Sequence, residues 1–277
     1  MFKSILHAVL VGALCLGSMQ GEGNSYFLMA QKAYKSKDYQ KALEYFQKAG
    51  DMGSAEGYFS LGVMYHDGQG IGKNYQKALQ YYKKAANMGS ALAYNNLAIM
   101  YHDGQGVVKD YQKAMEYYKK AAEMGAIEAY NSLGTMYEKG DGVALNYQKA
   151  LEYFQKAGDM GSAWAYNNLG IMYKNGNGVG KDLHMAKQYF KKAADMGLAS
   201  AYFNLGLMYH NGQSVGKDYQ KALQYFQRAA NGGVATAYYN LAVMYANGQG
   251  VQENLQKAKE YVKKACKLGY ADACDHF

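Results

Sequence analysis

Chemistry in this chain has few places to reside. One Ser-x-x-Lys occurs, Ser214-Val-Gly-Lys217. On a helix that spacing sets a lysine one turn from a serine nucleophile, as acyl transfer requires. The companion Ser-Asp-Asn and Lys-Thr-Gly elements do not occur. Neighbouring copies of the same loop read Gly-Val-x-Lys or Gly-Ile-x-Lys, so Ser214 reads first as a glycine replacement. Ser214 and Lys217 are thus the only catalytic candidates, and the motif is incomplete. His66, His102 and His210 share one position of a repeat. Adjacent copies then sit a helix-packing distance of about 8–10 Å apart, too far for two ligands that each lie about 2 Å from one zinc. No His-Glu-x-x-His occurs, and neither a metal nor a cofactor is expected. Gly68-Gln-Gly-Ile-Gly-Lys73 and Gly176-Asn-Gly-Val-Gly-Lys181 lack the four-residue gap and the Ser/Thr of a phosphate loop, so they read as structural loops.

Two cysteines near the end, Cys266 and Cys274, are eight residues apart. In one unbroken helix they would be separated by about 12 Å, too far to bond. Gly269 lies between them and can turn the chain so that they face each other. They read either as a disulfide that holds down the C-terminal fragment or as two independent thiols.

The elements that position these residues follow from composition and period. The 277 residues include 33 glycines, 30 tyrosines, one tryptophan and no proline, with 49% hydrophobic and 19% charged residues. That balance is neither disordered nor membrane-embedded. Without proline, glycine must punctuate. Residues 1–23 read as a signal peptide: Lys3 opens it, Ile5 to Leu16 is apolar, and Gly21-Glu22-Gly23 is a small-x-small exit. The apolar stretch would rise about 18 Å as a helix, short of the ~30 Å hydrocarbon core, so no stable membrane anchor is expected. The chain is therefore read as exported, to the periplasm or beyond. The net charge of +8 is modest, and export disfavours nucleic acid as a partner. The lysines of the Gln-Lys-Ala and Lys-Lys-Ala steps read as a solvated outer face.

A 36-residue period runs through the rest. Gly53, Gly89, Gly125, Gly161, Gly197, Gly233 and Gly269 keep it, as do Ala42 to Ala258 and Leu61 to Leu241. Each unit carries two helical segments. In the first, Tyr94, Leu97, Met100 and Tyr101 form an apolar stripe. A loop such as Asp103-Gly-Gln-Gly106 breaks it. The second segment puts Ala114, Tyr117, Tyr118 and Ala121 on its buried side, and Gly125 stands where a left-handed cap is wanted. The predicted fold is all-α, a right-handed α-α superhelix (solenoid) of helical hairpins. Its parts are a first hairpin at 24–53, six repeats at 54–89, 90–125, 126–161, 162–197, 198–233 and 234–269, and a truncated half-hairpin at 270–277. From Leu28 to Tyr39 is 11 residues against 14 from Leu61 to Tyr75, so the first hairpin lacks the glycine loop.

The pattern Ala-Tyr-x-Asn-Leu-Gly-x-Met-Tyr, a Gly-x-Gly loop, then Tyr-Gln-Lys-Ala-x-x-Tyr-Tyr-x-Lys-Ala-Ala resembles the Sel-one-like (SLR) repeat, a relative of the tetratricopeptide repeat. The first hairpin is more similar to the latter. The ending Lys263-Lys-Ala-Cys-Lys-Leu-Gly-Tyr-Ala-Asp-Ala-Cys-Asp275 resembles the Helicobacter cysteine-rich family, exported SLR proteins in which most repeats carry such a cysteine pair. The resemblance implies a disulfide between Cys266 and Cys274. It also implies penicillin binding or weak β-lactamase activity, hydrolysing the lactam ring. The earlier repeats here depart from that family, with Ala or Gly and Tyr at the cysteine positions.

What the copies vary points to a ligand surface. Along one face of the first helices run Glu56, Leu92, Glu128, Trp164, Ser200 and Thr236, then Phe59, Asn95, Asn131, Asn167, Phe203 and Tyr239, then His66, His102, Glu138, Lys174, His210 and Ala246. In tetratricopeptide-like solenoids this face lines the concave groove. The candidate binding residues are accordingly Phe59, His66, Asn95, His102, Asn131, Glu138, Trp164, Asn167, Lys174, Phe203, His210 and Tyr239. Amide, histidine and aromatic groups in that mix suit a peptide backbone and its apolar side chains. The expected function is an exported scaffold that binds a protein or peptide, with a cell-wall fragment or a β-lactam as further ligands. A purely structural adaptor of an envelope complex is the other reading.

Overall fold

The computed structural model describes residues 22–214 and 216–274. The expected signal peptide lies outside them, apart from its last two residues. Among the described residues there are 15 helices and no strands. They are α1 (Glu22–Lys35), α2 (Tyr39–Asp51), α3 (Ala55–Asp67), α4 (Tyr75–Asn87), α5 (Ala91–Asp103), α6 (Tyr111–Glu123), α7 (Ile127–Lys139), α8 (Tyr147–Asp159), α9 (Ala163–Asn175), α10 (Leu183–Asp195), α11 (Ala199–Asn211), α12 (Tyr219–Asn231), α13 (Ala235–Ala246), α14 (Leu255–Lys267) and α15 (Ala271–Cys274). The chain forms two compact units, residues 1–136 with 140–144, and 137–139 with 145–277. In the first, α1 packs on α2, α3 on α4 and α5 on α6, and α2 also meets α3 and α4 meets α5. The second repeats this with α9 on α10, α11 on α12 and α13 on α14.

Local chemistry sets the boundaries. Each second helix from α2 to α14 starts at an Asp or Asn whose side chain accepts an N–H of the first turn, as Asn74 does from Lys77 at 2.9 Å. Helices α3, α5, α7, α9 and α11 end on a left-handed glycine. Between helices of a pair, small residues admit rings. Tyr82 is fully buried over Gly62, and a Cβ there would come within about 2.5 Å of the ring. Phe190 over Gly170 and Phe226 over Gly206 repeat the arrangement in the second unit.

The two neighbouring tyrosines of the second helix part company. Tyr118 is buried, whereas Tyr117 sits at the rim with Tyr101 (5.6 Å between ring centroids) and Tyr94 (6.1 Å). The same triple stack recurs as Tyr58–Tyr81–Tyr65 in the first unit, and as Tyr166–Tyr189–Tyr173 and Tyr202–Tyr225–Tyr209 in the second. Lysines close the stacks. Lys113 lies 5.3 Å from the Tyr101 ring centre and Lys120 5.8 Å from that of Tyr117. The face expected to be merely solvated therefore carries an ordered set of cation–π contacts.

Candidate functional site

The twelve candidate binding residues divide by exposure. Phe59, His66, Asn95 and Asn167 are buried, at 1, 6, 3 and 5% exposure. They leave the ligand surface, packed against their own or a neighbouring helix pair. Phe59 lies against Tyr82 (5.8 Å), and Asn167 Oδ1 accepts from Asn204 Nδ2 at 2.9 Å. His102, Asn131, Glu138, Lys174, Phe203, His210 and Tyr239 are half-buried. Of these, Phe203 rests on Phe226 (5.7 Å) and Tyr239 on Tyr270 (5.2 Å). Burial raises the pKa of Glu138, with Lys139 opposing. Trp164 is 45% exposed and, with Val243 at 36%, is a large apolar side chain that the first helices of the second unit offer to solvent.

The histidines turn out to be joints between neighbouring repeats. His66 Nδ1 faces Asp67 Oδ1 at 2.8 Å, and its Nε2 faces Oε1 of Gln105 in the following glycine loop, also at 2.8 Å. His102 bridges Asp103 (2.7 Å) and Asp141 (3.3 Å) in the same way. In the second unit His210 spans Asn211 (3.0 Å) and Gln249 (3.1 Å). Each ring also stands edge-on to the first tyrosine of its second helix. Burial pulls the His66 pKa down, but the Asp67 and Gln105 hydrogen bonds outweigh it and the net shift is upward. Residue types alone conceal this role, since the two partners are 39 positions apart, one period plus three.

Ser214 adopts φ +59°, in the slot that Gly70, Gly106, Gly142, Gly178 and Gly250 fill with φ near +70°. Its side chain is exposed and makes no hydrogen bond among the described residues. A left-handed L-residue costs about 1–2 kcal/mol. Ser214→Gly is therefore expected to raise the stability of the second unit by about 1 kcal/mol in urea titration. A neutral or destabilising result would remove the glycine-slot account.

Three surface hollows accompany these rows. One of about 270 Å³ in the first unit is lined by Glu56, Phe59, Met88, Ser90 and Leu92. In the second unit, one of about 610 Å³ is lined by Lys187, Tyr209, Lys217, Asp218 and Lys221. The third, about 220 Å³, lies between the α9 and α11 ends and is lined by Lys174, Lys181, Asn204, Leu207, Asn211 and Gln213.

Comparison with known proteins matches the Sel1 repeat seven times, at residues 23–54, 55–90, 91–125, 127–162, 165–198, 199–234 and 235–270. A Sel1 repeat protein from Oxalobacter formigenes is 35% identical with a TM-score of 0.81, covering 86% of this chain and 98% of that one. The protective antigen c5321 of uropathogenic Escherichia coli, which displays an SLR fold, is 31% identical with a TM-score of 0.75, covering 91% of this chain and 55% of that one. HcpC of Helicobacter pylori, whose name proposes a β-lactamase, is 42% identical over 73 residues, which are 26% of this chain. The match spans only 25% of HcpC.

Proposed function

The chain belongs to the Sel1 repeat family, and on that premise we propose that it is an exported scaffold that binds a protein or peptide along the inner face of its first helices. Sel1 and tetratricopeptide-like repeats generally serve protein–protein interaction, and among the described residues no helix is long and apolar enough to cross a membrane. The observation that carries the reading is Trp164, one exposed aromatic on an otherwise repetitive frame. Half-exposed His102 in the first unit, and Lys174 and His210 in the second, vary at one repeat position while the alanine and leucine core does not. Rigid aromatic anchors flanked by adaptable polar groups are what peptide recognition uses.

The test is peptide selection on the immobilised full chain from a displayed library. Selected peptides are expected to bind Trp164→Ala at least tenfold more weakly, about 1.4 kcal/mol. Equal affinity would overturn the groove. Export is read from the same protein: periplasmic or secreted material should start near residue 24, and retention of Met1 in the cytoplasm would end that part of the reading. The β-lactamase suggested by the name of HcpC gains no support from Ser214, whose backbone the glycine slot explains.

A further inference from the structure

We propose that the slot between α9 and α11 binds a carboxylate of an acidic peptide. The proposal rests on the first-helix face being a binding surface and gives one point on it a chemistry. At three other repeats the equivalent slot is closed by a histidine bonded to the next loop: His66 to Gln105, His102 to Asp141, His210 to Gln249. Here Lys174 stands at the histidine position and Gln213 at the loop position. No bond joins them among the described residues, and the hollow of about 220 Å³ opens in their place.

The charge of this slot also sets it apart. In the first unit the slots contain Asp67, Asp103 and Asp141, which meet the histidines. At the same positions this one has Asn175, Asn211 and Gln213, and no carboxylate lines it. Lys174 and Lys181 both border the hollow, and neither forms an ion pair among the described residues. The amides are partly committed in a useful way. Asn211 Oδ1 is engaged by His210 Nδ1 at 3.0 Å, which leaves its N–H groups to donate. Asn204 Nδ2 is spent on Asn167, which leaves its oxygen to accept. Two ammonium groups and amide donors suit a carboxylate, while the Asn204 oxygen suits a peptide N–H nearby. Leu207 supplies an apolar floor for the methylenes of a side chain. The volume falls below the roughly 300–1,000 Å³ of small-molecule pockets, so it fits one acidic side chain or chain end.

The probe is a fluorescent, N-acetylated hexaglutamate peptide titrated into the full chain at low salt, with N-acetylated, C-amidated hexaglutamine as its neutral counterpart. Hexaglutamate is expected to bind at least tenfold more tightly than hexaglutamine, and Lys174→Gln/Lys181→Gln should remove at least tenfold of that affinity. Lys174→His, which restores the residue of three other slots, should weaken binding while the helical circular dichroism stays unchanged. Lys83→Gln/Lys119→Gln deletes the same charge from exposed sites of α4 and α6 and should change affinity less than twofold. Amidating the peptide's C-terminus separates the two sources: full retention assigns side-chain carboxylates, and loss assigns the terminal one. Equal losses in the two double variants, or an unchanged affinity in Lys174→Gln/Lys181→Gln, would overturn the proposal. A silent hexaglutamate titration beside Trp164-dependent binding of selected peptides would remove the slot alone, whereas failure of both would remove the face as well.

Discussion

Gly106→Val is expected to lower the stability of the first unit by about 4 kcal/mol, the combined cost of a left-handed L-residue and an overpacked contact. Gly106 has φ +70°, and a Cβ there would stand 2.6 Å from the Tyr75 Cβ and 2.9 Å from its carbonyl carbon. A carbonyl carbon at the head of α4 cannot swing aside as a side-chain tip would. The same glycine takes a hydrogen bond on its oxygen from Gln76 Nε2 at 2.6 Å, so one residue joins two repeats through backbone, van der Waals contact and amide at once. Gln112 to Gly142 repeats the joint in that unit, and Gln148 to Gly178 does so in the other, both at 2.6 Å. Gly72, with nothing within 4 Å of its Cβ position and φ outside the left-handed region, is the control. Urea unfolding should show Gly72→Val within about 1 kcal/mol of wild type, as for a surface change. A Gly106→Val chain equally close to wild type would mean that the loops merely rest on their neighbours.

The joint bears on function because it sets the spacing at which one repeat follows another. Within each unit, the side chains at a given first-helix position are presented at the interval fixed by the glycine and histidine contacts. A selected ligand therefore meets residues that vary in chemistry but not in placement. That is the preorganisation a peptide-binding face requires, since little ordering remains to be done on association.

Much of this was legible in the residues themselves. The 36-residue step put Gly125 in a left-handed cap, where its φ is +86°, and put Leu97 and Met100 in the core. The glycine-loop contacts were only half legible. Glycine announced a left-handed turn, but the approach of Tyr75 from the preceding repeat needed three dimensions. Reading every residue of the variable face as ligand surface failed at Phe59, His66, Asn95 and Asn167, which are buried. Copies at one repeat position differ in burial, Asn167 being buried where Asn131 is half-buried, and the period alone does not show which copy packs more tightly. Tyr117 and Tyr118 make the same point. Successive positions on a helix differ by about 100°, so one ring enters the core and the other stacks at the rim.

Reducing the Cys266–Cys274 pair is expected to cost about 2.5 kcal/mol in the chain-entropy account of so short a loop. The two Cα atoms are 4.9 Å apart, with Gly269 at φ +87° turning the chain between α14 and α15. Helix α15 is a single turn of four residues, too short to hold itself, since isolated helices below about 12 residues are marginal in water. What it contributes is local: Ala273 is fully buried, and the Tyr270 ring covers Tyr239 on α13. Cys266→Ser should therefore free residues 270–274 to exchange their amides rapidly and expose Tyr239. The first unit, which makes none of these contacts, should keep its midpoint. Thiol titration of the unfolded, unreduced protein gives the complementary reading. Chain cleaved after residue 23 should show no free thiol, and chain retaining Cys15 should show one. Two free thiols in exported protein would remove the bridge from the account, and α15 would then have to be held by Ala273 and Tyr270 packing alone. Slow exchange at 270–274 in the Cys266→Ser chain would point the same way. With the bridge formed, α15 is tied covalently to α14 and shields an α13 surface that packing alone would cover only intermittently.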